Sequence, residues 1–164
     1  MDLQLENIIA DTVKNVLNER NGGNTGHAEM TLGFARTLIA AVEKKAAEMG
    51  VNAVVAVSSR EGNPIAVECM DDSFIASYDI AVNKAYTSAA LKMPTKQLSV
   101  LAAPGGSLYG IQFTNQSKIV IFGGGEPLET ADGRIIGGLG VSGGTEEQDT
   151  ALGEYGRRFF EQNF

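Results

Sequence analysis

One cysteine and one histidine are all that this 164-residue chain has of the two most versatile ligand side chains. With Cys69 alone, no internal disulfide can form, which suits a reducing compartment. With His27 alone, a zinc or iron site built from several histidines is excluded, and a Ser-His-Asp triad has little to rest on. Cations are also scarce, 13 Lys+Arg against 20 Asp+Glu, for a net charge of −7. Such a chain has no electrostatic footprint for DNA or RNA, and no basic face to draw it to anionic lipid. No apolar run approaches the length of a membrane span. Met1-Asp2-Leu3 opens without a positive n-region, so no secretory signal is expected and the cytoplasm is the expected location. Asn115-Gln116-Ser117 matches a glycosylation sequon that has no meaning without export.

What is present is an ordinary globular core composition, 43% apolar residues, enough for one domain with an appendage. Over residues 2–20, Leu5, Ile8, Ile9, Val13, Val16 and Leu17 recur at spacings of three and four, the pattern of an amphipathic helix. Three glycines and two asparagines in residues 21–26 then read as a linker, taken here as 21–30. The remaining chain, 31–164, reads as one domain. A helix is expected from Leu32 to Met49, capped by Thr31 and stopped by Gly50. The apolar run Val51–Ser58 reads as a buried strand, and Ile65, Val67 and Cys69 as the inward face of its hairpin partner. A helix follows over 75–91 and a shorter one from Pro94 to about Ala102. Strands are expected at Lys118–Phe122 and Arg134–Val141, and a last helix begins at the capping box Thr145-x-x-Gln148. Short links between strands point to an α+β layout, an antiparallel sheet of about five strands with helices packed on it.

Several patterns carry possible chemistry. Gly138-x-Gly140-x-x-Gly143 satisfies the dinucleotide fingerprint by letter. That fingerprint needs a βαβ unit, and here only one helix follows it, so nucleotide binding of that kind is rejected. Ser142-Gly143-Gly144 leads into a helix N-terminus, where free backbone N–H groups would hold a carboxylate or a haem propionate, or simply form a tight turn capped by Thr145. Gly123-Gly124-Gly125 reads as a turn or as a place where backbone approaches a ligand. His27 is a candidate axial haem ligand, with a solvated side chain as the alternative. Tyr78, Tyr86 and Tyr109 are ligands or core aromatics. Lys84, if buried, needs an acidic partner such as Asp79 or Asp149.

Met70-Asp71-Asp72-Ser73, Asp79-Ile80-Ala81-x-x-Lys84-Ala85, Pro94-Thr95, Gly123-Gly124-Gly125-x-Pro127 and Gly137-x-x-Gly140-Val141-Ser142-Gly143-Gly144-Thr145-x-x-Gln148-Asp149 together resemble the GlcG/HbpS/PduO C-terminal family. The resemblance covers roughly 31–164. It implies a profilin-like α+β fold, assembly into homo-oligomers, and binding of a tetrapyrrole, haem first and a corrinoid as the alternative. On this reading the ligand pocket involves Tyr78, Lys84, Gly124, Ser142, Gly143 and Gly144, with His27 as the metal ligand. The adenosyltransferase domain joined to PduO proteins is not part of the match. Residues 1–20 resemble the encapsulation peptides of bacterial microcompartment cargo, which implies a shell protein as partner and a location inside a microcompartment; a helix packing on its own domain is the alternative. A binding accessory protein is the expected function, with a haem-degrading or small redox enzyme, or a ligand-free structural cargo protein, as alternatives.

Overall fold

The computed structural model describes residues 29–164. The expected helix with Leu5, Ile8, Ile9, Val13, Val16 and Leu17, most of the linker, and His27 lie outside the described residues. Helix α1, Leu32–Glu48, starts where Thr31 Oγ1 accepts from the Phe34 N–H at 3.2 Å. Its stripe Ala35, Leu38, Ile39, Val42 and Ala46 is wholly buried, and Gly50 ends it with φ +68°. Strands β1, Val54–Ser59, and β2, Pro64–Cys69, form the expected hairpin. Helices α2, Ile75–Leu91, and α3, Thr95–Ala102, follow, then β3, Gly125–Glu129, β4, Ile135–Ser142, and α4, Glu146–Asn163. The capping box at Thr145 and Gln148 is present as read. Among the described residues no helix is long and apolar enough to cross a membrane.

The sheet has four strands, not five, in the order β2-β1-β4-β3, every neighbour antiparallel. Period-two alternation sorts its side chains between two faces. Val55, Val57, Leu139 and Val141 join the main core beneath α1 and α4, while Val54 and Ala56 meet Ala81 and Ala85 of α2 on the other face.

The segment 118–122 is irregular rather than a strand, because a helix side chain takes its backbone groups. Thr87 Oγ1 accepts from the Val120 N–H at 3.0 Å, and its own proton is shared between the Asn83 carbonyl at 2.7 Å and the Lys118 carbonyl at 3.2 Å. The strand begins instead at Gly125, within the expected turn. Pro127, which has no N–H for a ladder, is tolerated because β3 is an edge strand. Gly125 is needed for proximity: a Cβ there would lie 2.8 Å from the Lys84 carbonyl oxygen of α2. Cys69, expected to face inward, is exposed, since it sits at the end of the other edge strand.

Candidate functional site

The first turn of α2, the irregular segment before β3, the end of β4 and the start of α4 converge on a cleft of about 260 Å³. Phe74 and Phe122 are its large apolar walls, 69% and 39% exposed, joined by Ile80. Ser77 and Ser142 line it as well; the Ser142 hydroxyl donates to Ser77 Oγ at 3.1 Å, so the two satisfy one another. Ala76, Gly143, Gly144, Glu146 and Asp149 complete the lining.

Beneath the cleft lies a charged knot. Lys84 is fully buried and Asp149 nearly so. Lys84 Nζ donates to Asp149 Oδ2 at 2.7 Å and to the Val141 carbonyl at 2.8 Å. The other carboxylate oxygen, Asp149 Oδ1, accepts from the Gly143 and Gly144 N–H groups at 3.1 and 2.9 Å. One ammonium, one carboxylate, two amides and a carbonyl thus satisfy one another, as a buried ion pair must be satisfied to persist. Burial pulls the Lys84 pKa below its ordinary value, against the upward pull of Asp149 and then Glu146. Lys84 also lies under the Phe122 ring, 4.8 Å from its centroid, a cation–π contact that holds this wall. Gly124, φ +109°, closes over the knot; a Cβ there would fall 2.7 Å from the Val141 carbonyl and 2.8 Å from Lys84 Nζ. The Gly123 N–H donates to Glu146 Oε1 at 3.1 Å, and with Lys96 it holds the Glu146 carboxyl below the usual carboxylate range.

The expected site residues therefore separate into three groups. Ser142, Gly143 and Gly144 do line one cleft. The amides of Gly143 and Gly144, expected to be open to a ligand carboxylate, are already taken by Asp149 of the same chain. Lys84 and Gly124 sit in the supporting knot, Lys84 sealed from any ligand. Tyr78 is half-exposed one helical step from Ser77 and does not line the cleft. Tyr109 is exposed, and Tyr86 packs beneath Gly62 and accepts from Asn115 Nδ2. Sequence reasoning missed Phe74 and Phe122. The signal for the first was legible: Phe74 occupies the N-cap position of α2, where a polar residue belongs, and Ile75 after it is 97% exposed.

The lining offers apolar surface from Phe74, Ile80 and Phe122. It contains no histidine, cysteine, methionine or tyrosine, so no strong axial donor to an iron comes from the lining itself. Among the described residues no cluster of three His, Cys, Asp or Glu side chains could hold a metal ion.

Comparisons with known proteins agree with this architecture. The family model described as haem degrading protein HbpS-like matches residues 30–158. An uncharacterized 15.0 kDa protein from the dhaT-dhaS intergenic region of Citrobacter freundii is 48% identical over 127 residues, covering 77% of this chain and 89% of that protein. The corrinoid adenosyltransferase PduO of the same organism is 34% identical over 155 residues, 93% of this chain, but this chain spans only 46% of PduO. Among solved structures, a crystal structure of a PduOC–haem complex superposes with a TM-score of 0.76 at 34% identity, covering 80% of this chain and 94% of the other.

Proposed function

This chain belongs to the family described as haem degrading protein HbpS-like, and on that footing we propose that it is a tetrapyrrole-binding accessory protein. Haem is the first ligand and a corrinoid the alternative. The observation that carries the reading is the cleft between Phe74 and Phe122, on a scaffold 34% identical to one crystallised with haem. Phe74, Ile80 and Phe122 would hold the macrocycle by apolar contact, which burial of flat aromatic surface favours. When bound, haem supplies a redox-active iron. The residues of this chain orient it and keep water from one edge, and the Lys84–Asp149 knot keeps the Phe122 wall and the Gly143-Gly144 turn in place. His27, which lies outside the described residues, is the candidate axial ligand. The adenosyltransferase activity named for PduO is not proposed here, since this chain spans less than half of that protein.

A haemin titration of the full chain, followed in the Soret region with cobalamin as comparison, tests this. A saturable shift is expected near one haem per chain, weakened in Phe122→Ala and altered in its absorption maximum in His27→Ala. Absence of any saturable shift with either ligand overturns the reading. A haem-degrading enzyme is the second reading, favoured by the description of the family itself. It requires that the Soret band of the complex bleach with ascorbate and oxygen faster than that of free haemin.

The protein acts, on this proposal, as a homo-oligomer and as microcompartment cargo, with residues 1–20 docking on a shell protein through Leu5, Ile8, Ile9, Val13, Val16 and Leu17. An apolar stripe on an isolated short helix is marginal in water and gains stability from a partner surface. Residues 1–20 fused to a fluorescent protein should form foci in cells that make shells; diffuse fluorescence there sinks this part. Light scattering reads the oligomer.

A further inference from the structure

A second concavity lies at the opposite end of β4. Ile135 and Ser142 are seven residues apart on that strand, roughly 23 Å at about 3.3 Å per residue. Here a cleft of about 400 Å³ opens between the β1–β2 turn, the C-terminus of α2 and the start of β4. Its lining carries three cationic side chains, Arg60, Lys92 and Arg134, beside the apolar Ala89, Ile135 and Ile136, and no acidic residue. In a chain of net charge −7, three separate elements thus deliver three cations to one hollow.

The states of these cations suit an exchangeable anion. Arg60 pairs with Glu61 at 2.9 Å, with both side chains more than half exposed. Arg134 pairs with Asp132 at 2.7 Å. An exposed pair such as Arg60–Glu61 contributes only about 0–1 kcal/mol, so a ligand oxyanion can displace that acid. Lys92 is exposed and makes no hydrogen bond or ion pair within the described residues. It stands in the left-handed region, φ 56° and ψ 38°, immediately after α2, where glycine or asparagine is the cheaper residue. A cation there does offset the helix dipole, but that accounts for Lys92 alone and not for the two arginines brought from other elements.

We propose that this cleft binds a small molecule carrying two or more oxyanion groups, carboxylate or phosphate, on an apolar frame. The arginines would engage the oxyanions through their planar forks, Lys92 would act as a point charge, and Ile135 with Ala89 would meet the frame.

The test is calorimetric titration of the full chain at low salt with two probes, citrate and inorganic pyrophosphate. Saturable binding of at least one probe is expected, weakening as salt rises. Lys92→Asn, which keeps a residue suited to left-handed backbone, and Arg60→Gln should each weaken it on the order of tenfold. Both positions are exposed, and an unchanged thermal transition verifies that the variants fold. Preference for citrate assigns a polycarboxylate, and preference for pyrophosphate a phosphate ester; either supports the site. No saturable binding of either probe, or binding that both variants leave unchanged, overturns it. Neither probe is a tetrapyrrole, so the result stands apart from the haemin titration.

Discussion

Two buried acidic groups, differently partnered, show how single residues set the behaviour of this protein. Asp149 is satisfied on both oxygens, by Lys84 on one and two glycine amides on the other. Removing one partner of such a pair strands the other charge, a cost of about 3–5 kcal/mol. Lys84→Met is therefore expected to lower the urea midpoint sharply, while Lys84→Met combined with Asp149→Asn loses less than the sum of the two single changes. Glu126, 2% exposed on β3, faces the opposite layer. Arg157 Nε lies 3.2 Å from its carboxylate, with Glu154 and Arg158 also within its field. Burial outweighs Arg157 and raises its pKa from 4.5 to about 7. A folded-state pKa above the unfolded one means that the folded chain holds the proton more tightly. Stability from this group is then complete below pH 4.5, falls as pH rises through about 7, and is level above that, a change of about 3 kcal/mol. Glu126→Gln should flatten that slope; thermal unfolding at pH 5 and pH 8 reads it, and an unchanged slope would assign the pH dependence elsewhere.

At the scale of elements, the decisive contact is α2 lying directly on β4. Gly138 and Gly140 alternate on the strand face beneath the helix, and added Cβ atoms would fall 2.1 Å from the Ala85 carbonyl and 2.0 Å from the Ala81 carbonyl. Two of the three glycines that spell a dinucleotide fingerprint are thus a close-packing pair, with Ala81 and Ala85 as their complement on the helix. Gly140→Ala forces helix and sheet apart and should destabilise by about 3 kcal/mol or prevent folding. Gly33→Ala is the control. It sits in the first turn of α1 with nothing within 4 Å of an added Cβ, and it should stabilise by about 0.5–1 kcal/mol through helix propensity. Both are read as shifts of the thermal midpoint, and equal effects would refute the packing account.

For the whole molecule, a four-stranded sheet between α2 on one face and α1 with α4 on the other places two clefts at opposite ends of β4. Among the described residues the core includes Met30, 8% exposed. On the proposal that residues 1–20 dock on a shell protein, a chain beginning at Glu29 should unfold within about 4 °C of the full chain, less than the effect of roughly 1–2 kcal/mol on a domain of this size. A larger drop would mean that the first 28 residues belong to the fold.

Helices were the most legible part, because a stripe such as Ala35, Leu38, Ile39, Val42 and Ala46 is a local pattern, and Thr31 and Thr145 cap with neighbours three residues away. The β1–β2 hairpin and β4 were legible for the same reason. Lys118–Phe122 misled because strand propensity is local while strand pairing is not: Thr87, more than thirty residues away, takes the backbone groups a neighbouring strand would need. The same limit hid the site. The chain alone determined that Lys84 would need an acid if buried, and that Ser142-Gly143-Gly144 precedes a helix N-terminus. Only the tertiary structure decided that Asp149 fills that turn, that Phe74 and Phe122 wall one cleft, and that Arg60, Lys92 and Arg134 share another. Such convergence depends on the relative placement of α2, β4 and α4, which no local periodicity encodes.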